Sequence, residues 1–316
     1  MKAVTIENFG GTKQLKVSQV QTPSPMDNEV QIAVENAAVN PVDWKICDGM
    51  LKNAMPHEFP IILGWDAAGV VTSVGKNVKN FTVGDQVFAY CRKSKVKWGT
   101  FAEYVCVDEK QVAMKPKALN FAQASSIPLG GLTAWQALFD IGKLKKGETV
   151  LVHGGSGGVG SIAIQLAKNA GAHVITTSST KNHTYVKSLG ADTVIDYTQE
   201  NFVDRVKKAF PEGIDLVIDT IGGSTCQLSM SLLKSNGRLV SLVEKFDPST
   251  KWPNNIRCYS MFVEPNGSEL QKISEMFSQG KLKAPTIQEM TLEEAAVALE
   301  KNRSGHTCGK IVLKVK

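Results

Sequence analysis

The sequence predicts an α/β protein of two domains, a compact β-barrel-like domain and a doubly wound parallel-sheet domain. Three observations predict it. The chain has 316 residues, long enough for two separate cores. Its first third carries short apolar strands divided by Gly and Asp turns, the pattern of a small barrel. From Thr149 the pattern changes to strand, helix, strand, helix, which builds βαβ units and a parallel sheet covered on both faces.

The elements follow in order. Lys2 to Glu7 alternates as a strand, and Val30, Ile32 and Val34 alternate with polar or small neighbours as a half-buried strand. Ala67 to Val74 is bounded by Gly64 and Gly75; a turn at 81–85 leads into Gln86–Tyr90, and Phe101–Val107 follows. The parallel-sheet strands are expected at 149–153, 173–177, 193–196, 214–219 and 237–242, with helices at 158–170, 182–189, 200–210 and 225–234. A polar helix at 267–280, an amphipathic helix at 292–301 and a last strand, Lys310–Val315, are read as rejoining the first domain. The expected domains are therefore 1–120 with 264–316, and 121–263.

Composition narrows the class. Hydrophobic residues make up 42% and charged residues 21%, an ordinary globular balance. The net charge of +6 is spread along the chain, which suits an anionic small molecule and does not imply nucleic acid. The tightest basic cluster, Arg92, Lys93, Lys95 and Lys97, reads either as a solvated loop or as a contact for an anion. No apolar run approaches the roughly 18 residues of a membrane helix, and the start has no leader-like apolar stretch. Six cysteines without a C-x-x-C read as reduced thiols, so the expected location is cytoplasmic.

The chemistry begins at Thr149. An apolar strand runs into Gly155-Ser156-Gly157-Gly158-Val159-Gly160, a G-x-G-x-x-G turn that opens a helix. In that context Gly155 is expected to make the tight turn, Gly157 to admit a pyrophosphate against the backbone, and Gly160 to let helix and strand pack closely. The helix N-terminus then offers unpaired N–H groups to the phosphates; the alternative is a glycine-rich turn with no ligand. An NAD site usually has an Asp or Glu about 20 residues on, at the end of the second strand. Here there is no acidic residue from Gly160 to Ala191, and the second strand ends in Ser178-Ser179-Thr180-Lys181. Hydroxyls and a cation suit the 2′-phosphate of NADPH, which a carboxylate would repel. Lys181 also reads as a solvated residue at a helix start.

Metal binding is not expected. Histidines 57, 153, 173, 183 and 306 pair with no cysteine or carboxylate at a ligand spacing, and His57-Glu58 lacks the second histidine of H-E-x-x-H.

The chain resembles the medium-chain dehydrogenase/reductase superfamily, in its zinc-independent quinone oxidoreductase and enone reductase branch. The resemblance covers essentially the whole chain and rests on 40–45 (NPVDWK), 63–69 (LGWDAAG), 83–87 (VGDQV), 129–134 (LGGLTA), the glycine turn, 189–192 (LGAD) and Gly309-Lys310, in that order. It implies a GroES-like β-barrel domain and a Rossmann domain, with the active site in the cleft between them. The zinc ligand positions of the alcohol dehydrogenases fall at Asn40, at Trp65 within Gly64-Trp65-Asp66, and near Leu129, so a zinc alkoxide has no apparatus. Cys47 lies close by in sequence and reads as a helix residue. By resemblance, Asn40 and Thr133 would lie near the nicotinamide end. Val159 and Gly160 would face the pyrophosphate beside Gly155, Gly157 and Gly158. Ser178, Ser179 and Lys181 would hold the 2′-phosphate, and Ile221-Gly222 and Leu242-Val243 would flank the nicotinamide. Each position also reads as turn or core.

Such a site delivers hydride to an electron-poor carbon conjugated to a carbonyl, and the protein need only orient the partners and stabilise the oxygen. The expected substrate is a small quinone or enone. Lys45 and Asn40 are the catalytic candidates. Lys45, at a position that holds tyrosine in many quinone reductases of this branch, would stabilise the enolate oxygen, with Asp43 as the carboxylate that orients it; it also reads as a solvent-facing helix residue. Trp65 reads either as an apolar wall for a flat substrate or as core. The alternatives are a zinc-free NADPH-dependent aldehyde or ketone reductase, and an NADPH-binding protein without catalysis, crystallin-like or RNA-binding. A homo-oligomer, most simply a homodimer, is expected from the resemblance, and residues 257–262 could supply an edge strand for it or an edge within the chain.

Overall fold

The structure, a computed structural model, describes residues 1–316. The chain opens with β1 (Lys2–Ile6), β2 (Lys16–Gln19) and β3 (Glu29–Ala38), then α1 (Pro41–Cys47). Strands β4 (Ile61–Ile62), β5 (Asp66–Val74), β6 (Gln86–Tyr90), β7 (Tyr104–Asp108) and β8 (Val112–Met114) follow, then α2 (Phe121–Ser125) and α3 (Pro128–Trp135). The middle of the chain alternates: β9 (Thr149–Val152), α4 (Gly158–Asn169), β10 (His173–Thr177), α5 (His183–Ser188), β11 (Thr193–Ile195), α6 (Phe202–Ala209), β12 (Ile214–Asp219), α7 (Gly223–Met230), β13 (Leu233–Ser241) and β14 (Arg257–Ser260). It closes with α8 (Gly267–Ser278), β15 (Ile287–Thr291), α9 (Ala295–Arg303) and β16 (Lys310–Lys314).

These elements form two compact units. The first comprises Met1–Leu129, Pro265–Gly280 and Ala284–Lys316. Its larger sheet runs β15-β16-β3-β5-β6-β8, with β7 also on β3; a smaller sheet runs β2-β1-β4. Val30, Ile32 and Val34 of β3 are fully buried, as their alternation predicts, and Phe88 and Phe101 join them in the core. The tail does rejoin this unit: Val312 of β16 pairs antiparallel with Ala38 of β3.

The second unit comprises Gly130–Glu264 with Lys281–Lys283. Its strands are all parallel, in the order β11-β10-β9-β12-β13-β14. The chain steps outward from β9 to β11, then restarts on the other side at β12. This is the doubly wound order, and its switch point lies between β9 and β12. Leu151, Ile175, Val217 and Leu239, one from each of four strands, are fully buried in its core.

The expected division at 120/121 falls earlier than the change of unit at Leu129/Gly130. The reason is α2, whose Ala122 packs with Ala38 and Val312 of the first sheet.

Candidate cofactor site and buried polar cluster

The second unit carries the glycine turn. Gly154, not Gly155, has the positive φ (65°) that reverses the chain. Gly155 is required for a different reason: a Cβ there would lie 2.0 Å from Thr176 Oγ1 on β10. Gly160 performs its expected role, since a Cβ would meet the Gly154 carbonyl oxygen at 2.3 Å. A Cβ on Gly157 would meet only that same oxygen, at 3.3 Å, so the space above the turn is open. The first bond of α4 runs from Ser161 N–H to Gly157 C=O (3.0 Å), which leaves the amides of Gly158, Val159 and Gly160 ahead of the helical ladder. No side chain caps them. Free amides at the start of a 12-residue helix, under open space, fit a pyrophosphate.

Hydrogen bonds tie this turn to its surroundings. His153, 1% exposed, places Nδ1 3.1 Å from Thr177 Oγ1 and Nε2 2.8 Å from Ser229 Oγ. Burial pushes its pKa down to about 4, so the ring is neutral. The Thr177 hydroxyl also accepts Gly154 N–H at 3.2 Å. Asn182 donates to Ser156 Oγ (3.1 Å), joining the loop after β10 to the glycine turn.

In that loop Ser178 is buried, Ser179 is partly exposed and Lys181 is exposed. The run without acids that precedes Ala191 does not keep carboxylates away. Asp196, just past β11, accepts the Thr180 hydroxyl and, from Thr198, the amide (2.9 Å) and the hydroxyl (2.7 Å). The hydroxyls of Thr180 and Thr198 hold it well below the usual carboxylate range, at about 2. Both its oxygens are thereby engaged, and Lys181 pairs with no carboxylate.

At the carboxyl ends of β12 and β13 the structure brings Ile221-Gly222 and Leu242-Val243 together. A Cβ on Gly222 (φ 80°) would lie 2.7 Å from Val243 Cγ1. Ile221 and Val243 are 53% and 47% exposed. Thr133 lies on α3, 4% exposed, and a Cβ on Gly130 of that helix would be 3.3 Å from the Gly158 carbonyl.

The first unit holds a separate polar cluster. Asp43 and Asp66 are fully buried, Asn40 is 2% exposed and Lys310 is 5% exposed. Lys310 donates to the Val39 carbonyl (3.0 Å) and to Asn40 Oδ1 (2.5 Å), and lies 3.7 Å from Asp66. Asn40 Nδ2 donates to Asp66 Oδ2 (2.8 Å), Leu129 N–H to Asp66 Oδ1 (2.8 Å), and Asn40 N–H to Asp43 Oδ2 (2.7 Å). Burial raises Asp43 to about 7 and Asp66 to about 6, against the pull of Lys310 on each. Burial also lowers Lys310.

Two expectations change here. Asp43 does not orient Lys45, because it is turned inward to the Asn40 amide. Lys45, half-buried on α1, instead holds its ammonium 5.5 Å from the centre of the Trp44 ring and pairs with no carboxylate. Asn40, a catalytic candidate, has both side-chain polar atoms engaged within the first unit. Trp65 is core: 4% exposed, its ring is 6.0 Å from that of Tyr90. Cys47 ends α1 and is buried, and in the basic loop Lys93 pairs with Glu29 while Lys95 and Lys97 share Glu58. No three His, Cys, Asp or Glu side chains are grouped so as to hold a metal ion.

A barrel-like unit and a doubly wound unit with an open helix N-terminus define a two-domain dinucleotide-binding protein of the dehydrogenase class. Residues 26–117 match the alcohol dehydrogenase GroES-like domain, and 189–313 match a model described as zinc-binding dehydrogenase. The chain is 35% identical to the chloroplast envelope quinone oxidoreductase homolog of Arabidopsis thaliana, over 99% of this chain and 98% of that one. It is 36% identical to the chloroplastic NADPH-dependent alkenal/one oxidoreductase of the same plant, over 99% of this chain and 79% of the relative. The solved quinone oxidoreductase of Coxiella burnetii superposes with a TM-score of 0.87 at 36% identity, covering 100% of this chain and 99% of that one. The chain belongs to the medium-chain dehydrogenase/reductase superfamily, in its zinc-independent quinone oxidoreductase and enone reductase branch.

Proposed function

We propose that this protein is an NADPH-dependent oxidoreductase that reduces quinones or the C=C bond of α,β-unsaturated carbonyls without zinc. The observation that carries the reading is the open, uncapped start of α4, followed after β10 by an exposed, unpaired Lys181. The first seats a pyrophosphate and the second favours a 2′-phosphate. The names of the quinone and alkenal/one relatives support the substrate class. At the three positions that hold zinc ligands in alcohol dehydrogenases, Asn40, Trp65 and Leu129 offer no ligand of the kind zinc takes.

When bound, NADPH supplies the hydride. Val159 and Gly160 hold the pyrophosphate, Ser178, Ser179 and Lys181 the 2′-phosphate, and Ile221 and Val243 give the nicotinamide an apolar seat. Lys45 carries an ammonium with no carboxylate to neutralise it, which suits it to stabilise an oxygen that gains negative charge. The Lys310–Asp66–Asn40 cluster fixes the start of α1 and hence the base from which Lys45 projects. The reading includes a homodimer, since β14 ends its sheet and leaves one edge unpaired. It also includes a cytoplasmic location, supported by six unpaired cysteines.

The test is NADPH consumption by the purified chain with 9,10-phenanthrenequinone and with a simple enone, products identified by mass. Turnover with either at rates above those with saturated aldehydes is expected; turnover only with aldehydes or ketones would overturn the reading.

A further inference from the structure

The turns after β12 and β13 are controlled from a single buried point. Asp219, fully buried at the end of β12, accepts N–H from Ile221 (3.0 Å) and Gly222 (2.9 Å) on one oxygen. Its other oxygen accepts the Ser241 hydroxyl at 2.6 Å. Ser241, fully buried at the end of β13, accepts in turn N–H from Val243 (3.1 Å) and Glu244 (2.9 Å) on that same hydroxyl oxygen. Glu244 then reaches back to accept Gly223 N–H at 2.6 Å.

A buried carboxylate is costly to desolvate and is kept where its hydrogen bonds fix something. What it fixes here is two exposed apolar side chains, Ile221 and Val243, on neighbouring turns beside the switch point of the sheet. Both side chains are about half exposed, and the hydrogen bonds of this pair, together with Leu242 N–H to the Asp219 carbonyl (3.0 Å), hold the two turns above the sheet. Nothing in the pair reaches the loop after β10, where Ser178 and Lys181 lie.

We propose that Asp219 and Ser241 are positioning residues for the nicotinamide half of the cofactor alone, setting Ile221 and Val243 against the ring while leaving the adenosine half to other residues. The proposal rests on the NADPH reading above and deepens it. Ser241→Ala removes the acceptor for two amides and the donor to Asp219 while keeping the backbone of β13.

The experiment measures dissociation constants of NADPH and of adenosine 2′,5′-bisphosphate, which lacks the nicotinamide, for the wild type, Ser241→Ala and Ser241→Thr. Loss of these three hydrogen bonds, which loosens the turns without removing a direct contact, predicts about tenfold weaker NADPH binding in Ser241→Ala, with bisphosphate binding changed by less than about twofold. Ser241→Thr, which keeps the hydroxyl, should restore NADPH binding. Unchanged NADPH binding in Ser241→Ala, or equal weakening of both ligands, would overturn the proposal. A wild type that binds neither ligand would overturn the NADPH reading itself.

Discussion

The ammonium of Lys310 lies 2.5 Å from the side-chain oxygen of Asn40, joining the last strand of the chain to the residue that opens α1. Lys310 is the only cation bonded into a cluster that also buries Asp43 and Asp66. Lys310→Met would leave that cluster without its positive charge. Removing one partner of a buried ion pair costs about 3–5 kcal/mol. The urea midpoint of Lys310→Met should fall accordingly, and a loss below about 1 kcal/mol would show that the cluster is not held by charge.

Asp43 gives the cluster a pH dependence of unusual sign. Its carboxyl is raised from 3.8 to about 7 by burial, so between those values the folded state binds more protons than the unfolded one. Stability from this group is complete below pH 3.8 and is lost as pH rises toward 7. Asp66, raised to about 6, acts in the same direction. Asp43→Asn retains an acceptor for the Asn40 amide and removes the titration. From pH 5 to 7 the wild type should lose on the order of 2 kcal/mol relative to Asp43→Asn, read from urea midpoints. A wild type that gains on the variant over this range would contradict the account.

His153 acts in the opposite direction. Burial lowers it from 6.5 to about 4, so between those values the unfolded state binds more protons. Its contribution is complete above pH 6.5 and is lost as pH falls toward 4. His153→Gln should remove a dependence on the order of 2 kcal/mol between pH 6.5 and 4.5, measured by the unfolding midpoint. If wild type and variant show parallel acid profiles, the ring is not held neutral.

Lys181 is exposed and unpaired, so removing it should affect the cofactor and not the fold. Lys181→Ala is expected to lower kcat/KM with NADPH by about tenfold, mainly through KM, and to leave kcat/KM with NADH within about twofold. Equal losses with both cofactors would remove Lys181 from the 2′-phosphate site.

What the sequence made legible was local. The strand, the glycine turn and the helix are contiguous, and their change of period from 2 to 3.6 is visible in a short window. The doubly wound order follows from the repetition of that pattern. What stayed hidden was set by pairing between distant segments. Asp196 stands beside Thr180 because β10 and β11 pair in parallel, Thr177 opposite Ile195. The Asp219–Ser241 pair depends in the same way on the register of β12 and β13. Strand β15 gives no sequence signal, because residues 287–291 have little apolar alternation; its partner β16 supplies the pairing. Strand β13 begins at Leu233, not 237, since Leu233 pairs with Ile214 across an irregularity in register and Asn236 takes a φ of 62°. Similarly, α7 begins at Gly223, ahead of the expected 225, directly after the turn that Asp219 holds.

The most direct test of the central claim follows a labelled hydride. The enzyme is given NADPH deuterated at the transferable position and a simple enone, after dialysis against a chelator. The account predicts undiminished turnover and a saturated ketone with deuterium on its β-carbon. Deuterium on a carbinol carbon, or activity that disappears with the chelator and returns with zinc, would contradict it.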